Sequence, residues 1–247
     1  MQKNFVQRHI LFFSIIVFCF VFVPIVKNAY AQEKEINKEK IVIKEQEQQK
    51  QKEVIKEDRP IVVLDAGHGG YDDGSVSDSK VKEKNITLAI TLKLGKILEE
   101  NDVEVVYTRT SDDVSWPSDN VADLLARSEI ANEAEADYFV SIHLNYSEVS
   151  QNEVQGSEIW VRRSDSESEK LAVNVNKQLE ALDGIVSRGL KDEAESPLSV
   201  IEYNNMPSIL IETGFLSNEN DTKYLTNDKN QSEMANAIAQ GILETLK

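Results

Sequence analysis

The chain has 247 residues, with 43 acidic residues against 27 basic ones, one cysteine and three histidines. Charge is unevenly spread: residues 1–31 carry Lys3, Arg8 and Lys27 and no acid, residues 32–59 hold eight acids and eight bases, and the remaining 188 residues reach a net of −19. A body so acidic excludes nucleic acid as a partner, because that binding neutralises phosphates with Lys and Arg, and it is repelled by anionic membrane surfaces and wall polymers.

Residues 1–31 read as an export signal. Lys3 and Arg8 precede an apolar run from Ile10 to Val26, and the small-residue site Ala29-Tyr30-Ala31 follows, which predicts cleavage after Ala31. At 17 residues the run lies at the short edge of a bilayer span, so residues 10–26 are also a candidate membrane tether if the segment is retained. Cys19 lies inside this run, so the exported part holds no thiol for a disulfide or a metal. Residues 32–59 are mostly Glu, Gln, Lys, Ile and Val without glycine or aromatic residues, and their isolated apolar positions predict a charged, solvated spacer, helical in part. Pro60 marks the boundary of one domain, 60–247.

Within that domain, short apolar or β-branched runs at Ile61–Asp65, Val103–Thr108, Tyr138–Ile142, Glu158–Val161 and Ser208–Ile211 predict strands. Helical spacing separates them. Ile86, Ile90, Leu94 and Ile97 form one apolar face; Val121, Leu124 and Leu125 with Ser128–Ala131 a second; Leu171, Val175, Leu179 and Leu182, stopped by Gly184, a third; Met234, Ile238, Ile242 and Leu246 the last. This alternation predicts an α/β domain, a single twisted and mostly parallel sheet with helices on both faces.

Ligands of open α/β sheets bind beyond the carboxyl ends of the strands. Three strand ends carry polar groups: Ile61–Asp65 runs into Ala66-Gly67-His68-Gly69-Gly70, Tyr138–Ile142 into His143-Leu144-Asn145, and Ser208–Ile211 into Glu212-Thr213-Gly214-Phe215. If these strands are parallel neighbours, His68, His143 and Glu212 meet at one edge. Two imidazoles and one carboxylate are a known zinc set with a fourth position open to water, and Glu83, at the start of the first helix, is the best third ligand. Other readings of the same residues stay open. A histidine after a strand is often a hydrogen-bonded structural residue; Glu83 can complement a helix dipole; Glu212 can pair with Arg109, Arg127 or Arg188. The glycine-rich loop lacks the residues of a P-loop or a dinucleotide fingerprint.

In combination these motifs resemble the zinc-dependent N-acetylmuramoyl-L-alanine amidases, bacterial peptidoglycan hydrolases. The resemblance runs from Ile61 to about Lys247 through Val62–Gly74, Glu83, Thr108-Arg109, Arg127, Ala136–Asn145, Ser187–Leu190 and Pro207–Asp221. It implies His68, Glu83 and His143 as zinc ligands, Glu212 as the catalytic carboxylate, and hydrolysis of the amide between N-acetylmuramic acid and L-alanine in an exported wall enzyme. Arg188 and Asn145 are candidate substrate-binding residues, Arg188 for an acidic group of the stem peptide. Three departures stand out: Asp73 where proline is frequent, Leu144 in place of a small residue, which predicts a narrower cleft, and a longer stretch at 115–119. Another zinc amide hydrolase of the wall, a peptidase or deacetylase, is the alternative activity. A catalytically silent wall-binding module is the alternative class, although it needs neither Glu212 nor a full ligand set.

Overall fold

The computed structural model describes Lys34, Lys38, Lys40–Lys44 and residues 59–247 apart from 163 and 193–197. The export segment with Cys19 lies outside the described residues. The chain divides into two units, Met1–Asp58 and Arg59–Lys247. In the first, the described residues are helical, and Ile41, Val42 and Ile43 are exposed. No helix among the described residues is long and apolar enough to cross a membrane.

The second unit is built on a six-stranded sheet. Its strands are β1 (Ile61–Ala66), β2 (Glu104–Tyr107), β3 (Tyr138–Asn145), β4 (Ser157–Val161), β5 (Ser187–Asp192) and β6 (Ser208–Phe215), in the order β2-β1-β3-β6-β4-β5. β1 runs parallel to β2 and β3, β3 to β6, and β4 to β5, whereas β4 and β6 are antiparallel. The helices are α1 (Glu83–Glu99), α2 (Asn120–Glu133), α3 (Ser166–Leu179), α4 (Ser199–Glu202), α5 (Glu219–Leu225) and α6 (Asp228–Thr245). Side-chain caps start several of them: Asp119 accepts from the Ala122 amide, Asp165 from Glu167, Asn218 from Asn220 and Asp221, and Asn227 from Lys229 and Asn230.

Strand alternation divides the apolar residues between two faces. Val62, Leu64, Val140, Ile142, Leu144, Ile159, Val161, Ile209 and Ile211 meet α1, α3 and α6 in the larger cluster. The opposite face presents Val63, Phe139 and Leu210 to a smaller cluster with Ala131 of α2 and Val200 and Ile201 of α4. Four-residue spacing explains α1, whose Ile90, Leu94 and Leu98 are fully buried; each such side chain contributes about 1.5–3 kcal/mol.

Several boundaries differ from those the sequence predicts. β3 and β6 run three and four residues further, so His143 and Glu212 lie within strands rather than after them. The third helix ends at Leu179; Leu182 packs against the large cluster from beyond it. Strand β5 is unpredicted because Leu190 is its single large apolar residue, as suits an edge strand. Helices α4 and α5, of four and seven residues, are too short to show a helical period. Leu144 is buried at 2% exposure in the large cluster, which corrects the expected narrowing of the cleft: alternation turns its side chain into the core, away from His143.

A buried polar knot ties the sheet to α2. Asp65 is fully buried and accepts from the Thr108 and Ser141 hydroxyls, each at 2.6 Å, and from Arg127 Nη1 at 2.8 Å. Burial alone would raise its carboxyl; Arg127, His143 and the two hydroxyls outweigh that and lower it to about 2. Arg127 also pairs with Asp123, and Trp116 covers its guanidinium at 4.4 Å, which gives the long 115–119 stretch a structural role. Arg127→Leu should therefore cost about 3–5 kcal/mol in urea unfolding, because it strands a buried carboxylate. The Asp65 contribution should be present above pH 3.8 and lost as pH falls through about 2, and Asp65→Asn should flatten that acid limb.

Candidate metal centre

The carboxyl ends of β1, β3 and β6 lie side by side, with His143 and Glu212 in register on neighbouring strands. The loop after β1 brings in His68, and the first turn of α1 brings in Glu83. That loop is held through its carbonyls. Arg109 donates to the oxygens of Ala66 (2.9 Å), Gly67 (3.0 Å) and Lys84 (2.8 Å), and Arg127 to those of Ala66 (3.0 Å) and His68 (2.9 Å). His68 is thereby kept at φ 62°, a left-handed conformation uncommon for a residue with a side chain. Gly67 leaves room for the His143 ring, which a methyl group there would overlap. Gly74, at φ 65°, passes close against both His68 and Glu83.

His68, Glu83 and His143 converge, with one ligand atom from each lying within 4.8 Å of the others. Glu83 Oε1 is 3.1 Å from His68 Nε2 and 3.2 Å from His143 Nδ1, and the rings meet edge to face with centroids 4.8 Å apart. Glu83 is 2% exposed and accepts from the Ser75 and Leu144 amides at 2.8 Å each, so it is not a surface acid serving the helix dipole. His68 Nδ1 lies 2.6 Å from Asp72 Oδ2, while Asp72 Oδ1 accepts from the Gly74 amide at 2.9 Å. Because an ionised carboxylate only accepts, this contact puts a proton on Nδ1 and aims Nε2 at Glu83. Asp73 binds Lys82 (2.8 Å) and Lys84 (2.9 Å), so the departure from proline there adds an ionic tie at the start of α1.

The electrostatics follow from these contacts. Burial would raise the Glu83 carboxyl, but the hydrogen bonds and charges of His143 and His68 hold it well below the usual carboxylate range. Burial would lower the His68 imidazole, yet Glu83 and Asp72 together raise it to about 9. Glu212 is different. Its Oε2 is sealed from solvent and has no hydrogen-bond partner among the described residues. Burial foremost, then the nearby Glu83 and Glu158 carboxylates, push its carboxyl well above the ordinary value.

The structure thus brings together the three residues singled out as metal ligands, with Glu212 beside them. The arginines considered as partners for Glu212 engage other groups. Arg109 and Arg127 hold the β1 loop, and Arg188 Nε donates to Glu158 Oε2 at 2.9 Å with its guanidinium 5.4 Å from the Phe215 ring. Asn145 Nδ2 donates to the other oxygen of Glu158 at 2.8 Å. Glu158 is 4% exposed and stands opposite Glu212 in the antiparallel β4–β6 register. The sequence reading missed Glu158 and Asp72. A charged residue at the head of an apolar strand, Glu158-Ile159-Trp160-Val161, was the available signal for the first; Asp72, four residues after His68, lay within a recognised motif.

Comparison with known proteins gives a consistent neighbourhood. Residues 62–244 match the family described as N-acetylmuramoyl-L-alanine amidase. The germination-specific N-acetylmuramoyl-L-alanine amidase of Bacillus subtilis (strain 168) is 30% identical over 190 residues, covering 74% of this chain and 78% of that protein. Among solved structures, the CwlD amidase from Clostridioides difficile, in complex with the GerS lipoprotein, superposes with a TM-score of 0.67 at 34% identity, covering 76% of this chain and 98% of that one. The catalytic domain of CwlV, from Bacillus (Paenibacillus) polymyxa var. colistinus, gives 0.67 at 35% identity, with coverage of 76% and 98%.

The raised His68 value has a direct test. In metal-free protein the NMR titration of the His68 ring should show a midpoint near 9, returning toward 6.5 in Glu83→Gln. The associated stability should be full below pH 6.5 and lost as pH rises through about 9.

Proposed function

The chain belongs to the N-acetylmuramoyl-L-alanine amidase family and hydrolyses the amide bond between N-acetylmuramic acid and L-alanine in peptidoglycan; from that premise we propose that His68, Glu83 and His143 ligate zinc and that Glu212 is the catalytic carboxylate. The observation that carries this reading is the convergence of three donor atoms within 4.8 Å. Two imidazole nitrogens and a carboxylate oxygen suit zinc, whereas magnesium and calcium prefer oxygen ligands. When bound, zinc supplies Lewis acidity, polarising a carbonyl and lowering the pKa of a water to about 7.

The protein groups do the rest. Asp72 fixes the His68 tautomer so that Nε2 is the ligating atom, and the Ser75 and Leu144 amides orient Glu83. Glu212 takes a proton from the attacking water and delivers it to the alanine nitrogen as the carbon–nitrogen bond breaks, leaving a lactyl carboxylate and a free amine. Such a role contributes ~10²–10⁴-fold. Arg188, held by Glu158 and with its side chain 36% exposed, receives a carboxylate of the stem peptide. Asn145 contributes by holding the other oxygen of Glu158.

We further propose that residues 1–31 direct export, placing the enzyme at the wall outside the membrane, and that residues 10–26 act as a tether where the segment is retained. Because the net −19 body gives no attraction to anionic wall polymers, localisation rests on that segment or on a protein partner; the similar CwlD amidase forms a complex with the GerS lipoprotein.

Glu212→Ala should retain one equivalent of zinc by metal analysis and lose lysis of purified sacculi; activity within a few-fold of the parent would remove Glu212 from its role. His68→Ala and His143→Ala should lose the metal. Chelator should abolish the release of peptide with a new L-alanine amine, and added zinc should restore it, whereas full turnover in excess chelator would point to another nucleophile. Mass spectrometry of the exported protein should find a mature N-terminus at Gln32; one at Met1 would rule out cleavage.

A further inference from the structure

The amide that is cut joins two chemically unlike arms, a neutral N-acetylated sugar and a peptide bearing carboxylates. The sheet edge offers them unlike surroundings. On the α2 and α4 side lies a cavity of about 200 Å³ whose wall includes His68 and His143 themselves, together with Asn120, Asp123, Leu124 and Val200. We propose that this cavity is the subsite for the pyranose ring bearing the lactyl group, with the stem peptide running the opposite way along the sheet edge toward Arg188. The proposal rests on the amidase reading of the metal centre and adds to it the direction in which the substrate lies.

Contiguity is the first argument. Only an ether oxygen and one carbon separate the sugar ring from the scissile carbonyl, so the ring has to sit against the ligand histidines. A larger cavity of about 360 Å³, lined by Ser77, Tyr146, Gln151 and Ser217 among others, has a wall rich in hydroxyl and amide groups. None of the proposed ligands contributes to it, so it does not meet this requirement. Size agrees as well: about 200 Å³ lies below the ~300–1,000 Å³ typical of pockets for drug-sized ligands and suits one ring rather than an extended peptide.

Charge is the second argument. Arg127 lines the cavity but is 2% exposed, and its donors are engaged by Asp123, Asp65 and the carbonyls of Ala66 and His68. Asp72 and Asp123 complete the rim. A peptide carboxylate would meet the carboxylates of Asp72 and Asp123 there, whereas sugar hydroxyls and an acetamide find acceptors, an Asn120 amide and the apolar surfaces of Leu124 and Val200. The other direction is reversed in character. From β3 the edge passes β6 and β4 to β5, three strand spacings or about 14 Å, and ends at Arg188.

The test is an NMR titration of the zinc-loaded protein with di-N-acetylchitobiose, a sugar without the lactyl carboxylate that would itself ligate metal. Amide shifts should concentrate at Tyr71, Asp72 and Asn120–Leu124. Leu124→Trp, which fills the cavity, should weaken binding about tenfold or more, equivalent to about 1.4 kcal/mol. Asn120→Ala, at an exposed position that leaves folding undisturbed, should weaken it severalfold. Shifts clustered at Ser77, Tyr146 and Ser217 or around Arg188, no shift at saturating sugar, or parental affinity in both variants would each overturn the subsite. Binding is read without turnover, so a zinc-loaded protein that binds the sugar yet releases no peptide would instead overturn the catalytic reading.

Discussion

The fold and its chemistry depend on how the backbone is held just after β1. The carbonyls of Ala66, Gly67 and His68 accept from two buried guanidinium groups, Arg109 and Arg127, and one of these also neutralises the fully buried Asp65. Three consecutive carbonyls at a strand end would otherwise need water. Held by arginine, they fix the turn that places His68 in the left-handed region and orients its ring toward Glu83. A loop with glycine at 67, 69, 70 and 74 is flexible in the unfolded chain, and ordering it carries a corresponding entropic cost. Charge-assisted hydrogen bonds in a buried setting are strong enough to offset that cost, where isolated surface pairs would not be.

The two faces of the sheet divide the labour. The face under α1, α3 and α6 is lined by aliphatic side chains in the larger cluster and carries most of the apolar burial. The opposite face is polar toward the strand ends: Asp65, Ser141, His143, Glu158 and Glu212 alternate out of phase with the aliphatic positions of β1, β3, β4 and β6. Helices α2 and α4 cover that face partially, which leaves room beside the histidines. Antiparallel insertion of β4 places the head of that strand, rather than its tail, at the same edge, so Glu158 stands next to Glu212. A wholly parallel sheet would have put Glu158 at the far end.

Much of this was legible in the sequence because period and composition agree where burial is strong. Helices α1 and α6 and strands β1 and β3 have long apolar patterns, and the convergence of His68, Glu83 and His143 follows once three strands are taken as parallel neighbours. What was not legible depends on contacts between distant segments. Edge strand β5, with glycine at position 189 and one large apolar residue, has no strand period to read. The extension of β3 past Ile142 comes from pairing with β6, as the His143–Glu212 register shows. Leu144, between His143 and Asn145, stands in sequence where a cleft residue is expected, but alternation across the pleat turns it into the core. Arg188 pairs with Glu158, 30 residues earlier in the chain, a contact that only the pairing of β4 with β5 brings about.

Glu83 and Glu212 show how environment separates two like side chains. Both lie near the same histidines, Glu83 buried at the start of α1 and Glu212 partly buried on β6 with one oxygen sealed from solvent. Glu83 has each oxygen satisfied, Oε1 by the Leu144 amide and both imidazoles and Oε2 by the Ser75 amide, so its charge is held in place. Glu212 has a buried oxygen without a partner and two carboxylates for neighbours, so in the metal-free chain its neutral form is favoured. A ligand has to remain ionised; a group that exchanges protons has to be reachable from both states. A nearby divalent cation would favour the charged form of Glu212 and bring its two protonation states closer in energy, where a carboxylate already saturated with hydrogen bonds would stay ionised. Under the proposed assignment, it is the missing hydrogen bond at Glu212 that suits this residue, rather than Glu83, to proton transfer.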